Sequence, residues 1–426
     1  MTLKGVNNFY GYNIMNHGNK LSINRNEKKR GFKAETEHHV FPHNPSIFRS
    51  KENMLQVKLP EIGEHKVIKP DSMKLTFNFA ITGEDNDSWP VNNITLNLIR
   101  RITVKWDDQT LLETEGYDLY KTYKDLWLTT AQRDNMIRRG IQSVNLRKLR
   151  SGATSGVANE VDSQLAKIYE NVYEIPLDFT FLSEQHPFYE YIHRNKITID
   201  LYFNEPKLVI NSTDKSAITD YQLTNIKLEY DTTTEPNLCN SIKQLSKANA
   251  YPYDYIIHKL QFIDKEDTSF SFTCNDRIQS LKGICMLFEI PSTDATRDAE
   301  YFYNPDITKV KITYDSVDKL FNQGFKPHLY FPEACKLFMN EAQKTNGISH
   351  INSTNFYTKY FSLCIDTRST EDNTLHGSGL KLESTMTIDV SKNSTGKGKI
   401  FVHVYLLCDA RYIMEDGRVT RVEYKF

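Results

Sequence analysis

The chain has 426 residues, with 53 Lys or Arg against 54 Asp or Glu, so its formal net charge is -1. This balance excludes a general polyanion-binding surface, and any charge effect must be local. A chain of this length exceeds the size at which a single hydrophobic core stops growing, so we expect two domains.

Two further classes are disfavoured by the apolar residues and the cysteines. The N-terminal segment has no apolar signal-like stretch, and the longest apolar runs, such as ICMLF at 284–288, are too short to cross a bilayer. We therefore expect no secretion signal and no membrane-spanning segment. The cysteines form no CxxC pair, which favours reduced core thiols over a zinc site, a redox motif or a disulfide framework. They are Cys239, Cys274, Cys285, Cys335, Cys364 and Cys408.

Residues 1–52 are predicted to form an N-terminal arm. The segment is rich in Asn, His and Gly, shows no sustained period and carries an excess of basic residues, so we expect it to gain order only by binding. The candidate contact residues of this arm are Arg25, Lys28, Lys29, Arg30 and Lys33. His38, His39 and His43 lie close together, but their spacing fits no metal-ligand pair, which favours a plain loop over a metal site.

The first folded half is predicted to begin with strands at Met54. Residues 73–81 alternate apolar and polar side chains, which indicates a strand with one buried face. Residues 94–98 and 102–106 predict two short strands or one bent strand. In 117–128, YDLYKTYKDLWL, the apolar side chains recur every three or four residues, so we expect a helix that covers part of the sheet.

Residues 136–168 are predicted to form a long basic loop. No acidic residue lies between Asp134 and Glu160, and SGATSGVAN has a flexible composition. A loop of this length in a compact domain is functional or disordered. A solvated or subunit-facing loop is favoured, and polyanion binding is the alternative. The candidate basic residues are Arg138, Arg139, Arg147, Lys148 and Arg150.

The most regular pattern in the chain lies between residues 172 and 203. Residues 173–181 and 197–203 each alternate apolar and polar side chains, which predicts two adjacent strands with their apolar faces toward one core. The intervening LSEQHPFYEYIHRN is too short for a buried crossover helix. The polar side chains point evenly outward, so this stretch forms the wall of a sandwich and not an active site.

The second half is predicted to repeat this plan after a linker at 231–240. ITVKWD at 102–107 and VKITYD at 310–315 hold the same place in the two halves, and LDFTF at 177–181 is matched by SLCID at 362–366. A helix is expected at 332–343. The predicted strands of this half are 255–262, 270–274, 284–290, 309–314, 360–365, 384–390 and 400–408.

The order of elements therefore predicts an all-β protein of two consecutive eight-stranded jelly-roll β-sandwiches, with short helices in the loops. We place the first jelly roll at 53–235 and the second at 236–426. The segments that characterise the chain are the arm, IRRITVKWDDQTLLETEGYDLYKTYKDLWLT, the pair VYEIPLDFTF and KITIDLYF, and the closing KGKIFVHVYLLCD. In these features the chain resembles the double jelly-roll major capsid proteins of the adenovirus and virophage lineage, most of all those of Polinton-like elements and adintoviruses.

The resemblance implies a structural protein of the virion that is assembled inside the host cell. Homotrimeric capsomers of pseudo-sixfold outline would tile an icosahedral shell around double-stranded DNA, with the jelly rolls roughly perpendicular to the capsid surface. The implied partners are neighbouring capsomers, penton and minor capsid proteins and, through non-specific contact, packaged DNA. No cofactor is implied.

Enzyme motifs give no competing prediction. The sequence has no HExxH, no GxSxG and no Walker A motif, and no His is followed by x-Asp or x-Glu. The runner-up is a non-catalytic carbohydrate- or receptor-binding β-sandwich, a spike or vertex protein, which an exposed aromatic platform in a cleft would favour. An enzyme with scattered catalytic groups is the third alternative.

Overall fold

The chain folds into two β-sandwiches that follow one another in sequence. A computed structural model describes residues 36–424, except for these gaps: 53, 60–65, 70, 84–86, 107, 180–196, 213–219, 235–247, 293–299, 315–316, 319–323, 341–342, 345–348, 370–375 and 416–417. The predicted boundary at residues 235 and 236 falls in a gap and stays a prediction.

In the described part of the first sandwich there are twelve strands and six short helices. Its strands are β1 (Thr36–Pro42), β2 (Ile47–Arg49), β3 (Met54–Lys58), β4 (Val67–Ile68), β5 (Lys74–Thr82), β6 (Ser88–Pro90), β7 (Ile99–Trp106), β8 (Gln109–Glu115), β9 (Val172–Pro176), β10 (Ile197–Phe203), β11 (Ile210–Ser212) and β12 (Asp220–Thr233). Its helices are α1 (Ile94–Asn97), α2 (Tyr117–Asp125), α3 (Thr130–Asp134), α4 (Val144–Ser151), α5 (Glu160–Tyr169) and α6 (Pro206–Val209). Two 3-10 turns add Ser50–Glu52 and Ile137–Arg139.

The second sandwich contains ten strands and two helices within the described ranges. Its strands are β13 (Ala248–Asp264), β14 (Ser269–Cys274), β15 (Ile278–Glu289), β16 (Ile307–Tyr314), β17 (Val317–Asp318), β18 (Leu363–Asp366), β19 (Leu380–Leu382), β20 (Met386–Lys392), β21 (Lys399–Glu415) and β22 (Arg418–Glu423). Its helices are α7 (Tyr330–Phe338), preceded by a 3-10 turn at Pro327–Leu329, and α8 (Ser353–Thr358).

Both sandwiches have the strand order of a jelly roll. In the first, one sheet runs β1-β12-β5-β9 and the facing sheet runs β3-β10-β7-β8; in the second, the orders are β13-β21-β15-β18 and β14-β20-β16-β17. Four strands lie off the main path of their sheet (β2, β4, β19 and β22), and β6 and β11 form a separate pair. When the remaining strands are numbered within each unit, both units give the orders 1-8-3-6 and 2-7-4-5. The predicted pair of jelly rolls is confirmed by this identical wiring.

The wiring also tests the predicted matches between the two halves. β7 and β16, which contain most of ITVKWD and VKITYD, are the fourth strands of their units, so that match is confirmed. SLCID contains the sixth strand β18, whereas its counterpart β9 is VYEIP and ends before LDFTF. The second predicted match is therefore shifted by one segment. Phe77, Ile199 and Tyr221 fill the first core, and Phe288 and Val404 fill the second.

The predicted strand pair of residues 172–203 shares a core but not a sheet. β9 pairs with β5 in one sheet, whereas β10 pairs with β3 and β7 in the facing sheet. Their buried side chains, such as Ile175 and Leu201, point into the same core, as predicted. The prediction of adjacency is wrong because consecutive strands in a jelly roll often cross between the two sheets. Residues 180–196 lie outside the described part.

The predicted arm is too long at its C-terminal end. β1 pairs with β12 along seven residues, from Thr36 opposite Thr233 to Pro42 opposite Lys227, and β2 pairs with the same strand. The segment has a polar composition because β1 is an edge strand that is only half covered. Residues 1–35, with all five candidate basic residues of the arm, lie outside the described residues.

Three local predictions are corrected. The predicted loop at 136–168 contains the helices α4 and α5, and the predicted strand at 94–98 is the helical turn α1. The first residues of the predicted linker, 231–233, belong to β12, while 235–240 lie in a gap. None of the helices in the described ranges is both long and apolar enough to span a membrane.

Candidate functional site: the seam between the two jelly rolls

The two jelly rolls meet along a seam that is built from unlike parts of each unit. The first jelly roll contributes the edge strand β8 and the helix α2 that follows it. The second contributes the edge strand β13 and the outer face of the sheet that β13 forms with β21. Tyr253 on β13 donates a hydrogen bond to the carbonyl of Leu111 on β8 at 2.6 Å, and both residues are buried.

Gly116 allows the backbone to approach the second sheet closely where β8 passes into α2. Its φ of +65° lies in the left-handed region, and an added Cβ would lie 2.7 Å from Tyr405 Oη and 3.1 Å from His258 Nε2. Tyr405 donates a hydrogen bond to the Gly116 carbonyl at 2.7 Å. Any other residue would therefore combine backbone strain with a steric clash at this contact.

Aromatic side chains of α2 fill the seam. The ring centres of Tyr120 and Tyr405 are 5.2 Å apart, and those of Tyr123 and Phe302 are 5.0 Å apart in an edge-to-face arrangement. The Tyr123 hydroxyl is within 2.6 Å of Ser362 Oγ, so its polar end is paired in the buried interior. The predicted aromatic helix is thus confirmed, but much of its apolar face packs on the second jelly roll.

A group of ionisable side chains lies beside this packing. His258 Nε2 is 3.0 Å from His403 Nδ1, and His403 Nε2 is 3.3 Å from Glu289. Asp118 on α2 accepts a hydrogen bond from Asn204 at 2.7 Å. Burial, with the negative charge of Glu289, raises the pKa of Asp118 to about 7. Burial, with the neighbouring His403, lowers the pKa of His258 to about 3.

The candidate basic segment contributes to the seam through Arg147. Its guanidinium, 1% exposed as a residue, bonds both carboxylate oxygens of Glu300, at 2.6 and 3.2 Å, and the Pro90 carbonyl at 2.9 Å. Glu300 belongs to the second jelly roll, 153 residues away in sequence. Arg147 therefore joins the two units by a bidentate ion pair and is not available to a polyanion.

The other four candidates also have partners within the chain. Arg150 is buried, donates to the carbonyls of Glu170, Ile137 and Val172, and lies 4.0 Å above the Tyr173 ring. Lys148 lies 4.2 Å from the Trp89 ring centre, Arg138 is 3.2 Å from Glu174, and Arg139 is 3.9 Å from Asp125. The contacts of Lys148, Arg138 and Arg139 are partly open to solvent. The segment therefore contains helices that pack against the first jelly roll, and it is not a free basic loop.

A cluster of two carboxylates and a histidine in the second jelly roll has the ligand types for a metal cation, but a lysine ammonium group already contacts both carboxylates. Asp254, His376 and Asp409 bring their potential ligand atoms within 4.8 Å of one another. Lys282 Nζ lies 2.5 Å from Asp254 and 3.0 Å from Asp409. Burial would raise the pKa of Asp409, but the hydrogen bond from His376 and the charge of Lys282 hold it well below its usual range. The ammonium group of Lys282 therefore contacts both carboxylates, in the place that a cation would take.

The N-terminal histidines point to separate partners. His38 bonds Asp231 at 2.8 Å, and His39 bonds Thr232 at 2.8 Å. His43 lies between the carbonyl oxygens of Pro45 and Gln56, at 2.9 and 2.7 Å. The first two lie on strand β1, where the sequence favoured a plain loop, and the three help to attach the N-terminal strands to the sandwich.

Comparisons by sequence give no family for this chain, since neither a protein-family model nor a curated protein sequence matches it. Solved structures match along nearly its whole length. VP54 of PBCV-1, fitted into a cryo-EM reconstruction of the virophage Sputnik, has a TM-score of 0.62 at 10% identity and covers 93% of this chain and 98% of its own. The chain is a double jelly roll.

Two further capsid proteins support the same fold. The Faustovirus major capsid protein matches with a TM-score of 0.57 at 8% identity, covering 90% of this chain and 91% of its own. The mavirus major capsid protein matches with a TM-score of 0.52 at 10% identity, covering 91% and 90%. In all three comparisons the similarity in fold extends over both jelly rolls.

Proposed function

We propose that this double jelly roll is the structural major capsid protein of an icosahedral double-stranded DNA virus or virus-like element and acts in the virion without catalytic activity. The observation that carries the proposal is the whole-length match in fold to virus capsid proteins, in which 98% of VP54 is covered. The seam contacts support a structural role, since they consist of aromatic packing, hydrogen bonds and a bidentate ion pair that hold the two jelly rolls together.

The finer parts of this proposal concern assembly. The chain forms homotrimeric capsomers that contact neighbouring capsomers, penton and minor capsid proteins, and it belongs with the proteins of Polinton-like elements and adintoviruses. Residues 1–35, which include Arg25, Lys28, Lys29, Arg30 and Lys33, lie on the inner side and tie capsomers together or touch packaged DNA. The excess of basic residues in this segment supports that placement.

Negative-stain images of the purified chain test the proposal. Three copies of a two-sandwich chain should give class averages with threefold symmetry and a six-lobed outline, because each jelly roll forms one lobe. Averages that show only isolated two-lobed particles at micromolar concentration would contradict the capsomer and, with it, the capsid assignment.

A glycan-binding protein is the second candidate, and one observation favours it. Tyr301 is 44% exposed and borders a cleft of about 320 Å³ at the seam, whose wall includes Tyr303 and Tyr360. An exposed aromatic ring beside a cleft suits stacking against a sugar. Binding to a glycan array that is lost in Tyr301→Ala but kept in Tyr314→Ala, a variant of a tyrosine outside this cleft, would support the second candidate.

A further inference from the structure

The cleft beside Tyr301 contains a buried arginine that has no acidic partner. We call this space, whose wall includes Tyr301, Tyr303 and Tyr360, the tyrosine cleft. Arg133 on α3 also lines it and is only 4% exposed. Among the described residues, its guanidinium makes one hydrogen bond, from Nη1 to the Asp125 carbonyl at 3.0 Å, and no ion pair. Nε and Nη2, which carry three of the five N–H donors of an arginine, have no partner there.

A buried cation without a partner is unfavourable, so Arg133 calls for an explanation. Burial lowers the pKa of Arg133, and the charges of nearby acidic groups offset this effect only in part. Arg150 shows the usual arrangement of a buried arginine. It is also 4% exposed, but it donates to three backbone carbonyls and to Gln142. Since Arg133 lacks such bonds, it has the pattern of a residue that binds a group in the cleft.

A second cation lies beside the tyrosine cleft. Lys359 is exposed, its Nζ lies 5.0 Å from the centre of the Tyr301 ring, and it forms no ion pair with the residues that the structure describes. Two cations without acidic partners therefore belong to one cleft, Arg133 in its wall and Lys359 at its border. An anionic group that enters the cleft is attracted by both charges.

The carboxylates in the wall of the tyrosine cleft have partners of their own. Glu300 accepts two hydrogen bonds from Arg147, and Glu289 lies 3.3 Å from His403 Nε2. The other polar groups of the wall include neutral amides and a hydroxyl, on Asn92, Asn97, Asn304 and Thr358. Groups of this kind pair with the hydroxyl groups of a ligand. The cleft thus combines a site for an anion with surroundings that suit a polyhydroxylated molecule.

We propose that the tyrosine cleft binds an acidic monosaccharide unit, with the sugar carboxylate on Arg133 and the sugar ring against Tyr301. A carboxylate matches the planar fork of a guanidinium, which it engages through two oxygens. The volume of about 320 Å³ is near the lower end of the range for small-molecule pockets, about 300–1,000 Å³, so it suits one sugar ring. The inference rests on the glycan-binding candidate, to which it adds the class of glycan, whereas the capsid proposal does not depend on it.

The test is a titration of the full chain, followed by ligand-observed NMR. The ligands are N-acetylneuraminic acid, its methyl ester, which lacks the negative charge, and inorganic phosphate. The acid should bind on the order of 10- to 100-fold more tightly than the ester, the range expected for hydrogen bonds to a charged group. Phosphate should not displace the acid at equal concentration, because phosphate has no ring to pack against Tyr301.

Two pairs of variants separate binding from stability. Arg133→Gln should abolish the preference for the acid without lowering the thermal midpoint, because Arg133 has few bonds within the chain. Arg150→Gln, at an equally buried arginine outside the cleft, should lower the midpoint and keep the preference. Lys359→Gln, at an exposed residue that the fold does not require, should weaken binding of the acid about 2- to 5-fold. Lys148→Gln, at a lysine above the Trp89 ring, is its control and should leave binding unchanged.

The outcomes separate this inference from the proposals on which it builds. Equal affinity for the acid and the ester, with loss of both in Tyr301→Ala, keeps the glycan-binding candidate and overturns the acidic class. Binding of neither sugar removes the candidate and the inference together and leaves the capsid proposal to its own test. Displacement of the acid by phosphate at equal concentration would assign the cleft to simple anions and overturn the sugar. If Arg133→Gln does not fold, an unchanged affinity of Lys359→Gln for the acid overturns the inference in its place.

Discussion

β12 and β21 hold the same place in the two jelly rolls, yet their outer faces have opposite surroundings. On β12, buried residues alternate with the outward Lys227, Glu229 and Asp231, which are half-buried. On β21, residues 400–410 are buried almost without interruption, since β8 and α2 of the first jelly roll cover its outer face. The same wiring therefore supports one open polar face and one covered face.

The difference shows where topology ends and surface chemistry begins. The jelly-roll order decides which strands lie side by side, and it is identical in both units. The side chains on the outer faces decide which unit covers which. A polar outer face such as that of β12 remains hydrated in the isolated chain, whereas IFVHVYLLCDA on β21 needs a second covering layer.

The largest effect is expected where the covered face is opened. Tyr405→Ala removes a fully buried ring and its bond to Gly116, so the free energy of unfolding should fall by about 3–5 kcal/mol. Lys227→Ala at the open face of β12 should change it by less than about 0.5 kcal/mol. Urea unfolding of both variants checks this difference. Equal losses would show that the two outer faces are energetically alike.

The ion pair across the seam should give the next largest effect. Arg147→Ala leaves Glu300 without its bidentate partner and should lower the free energy of unfolding by about 3 kcal/mol. Arg100→Ala breaks a pair with Glu115 whose side chains are 60% and 51% exposed, so it should cost less than about 0.5 kcal/mol. Thermal or urea unfolding measures both, and a loss below about 1 kcal/mol for Arg147→Ala would contradict a structural ion pair.

The seam should also give two opposing pH responses. The folded pKa of Asp118, about 7, lies above its unfolded value, so its contribution lowers stability as the pH rises from about 4 to 7. The folded pKa of His258, about 3, lies below its unfolded value near 6.5, so its contribution lowers stability as the pH falls below about 6.5. In the wild type the two responses largely cancel between about pH 4 and 6.5.

Single substitutions should uncover each response. Asp118→Asn leaves the His258 response, so stability should decline on acidification below about pH 6.5. His258→Gln leaves the Asp118 response, so stability should increase over the same change. Each slope should not exceed about 1.4 kcal/mol per pH unit, the limit set by one proton. Urea midpoints across this range measure them, and parallel curves for both variants would exclude the assignment to these two groups.

The smallest effect is expected from the N-terminal segment. Deletion of residues 1–35 removes the basic segment but keeps β1 and its pairing with β12. Trimers should therefore remain intact, while association with other capsomers or with DNA is lost. Light scattering of the truncated chain checks the first expectation. A truncated chain that cannot trimerise would assign residues 1–35 to the subunit contact.

Much of the fold could be predicted from the alternation of side chains. Residues 73–81 nearly coincide with β5, and residues 309–314 lie within β16, because each strand has one buried face and period 2 is visible without knowledge of its neighbours. The pairing of β9 and β10 with different sheets could not be predicted in this way. Alternation shows which side chains are buried but not which strand lies alongside.

The basic segment shows a second limit. Its net charge suggested a solvated loop. In the structure, Arg147 instead pairs with Glu300, and Arg150 donates to three backbone carbonyls. Only the tertiary structure brings these partners close. A local signal for α4 was present in the sequence. Ser143 caps its N-terminus by accepting from Leu146, and Gly152 with φ of +76° ends it. The seam residues Tyr253 and Tyr405 have no comparable local signal.

The mass of the chain in solution tests the central claim most directly. At micromolar concentration, light scattering should give the mass of three 49.6 kDa chains. That mass should be the same at about 0.1 M and about 1 M salt, because apolar burial and not ion pairing holds the contact. A mass of one 49.6 kDa chain under these conditions would contradict the trimer and the capsid assignment that depends on it.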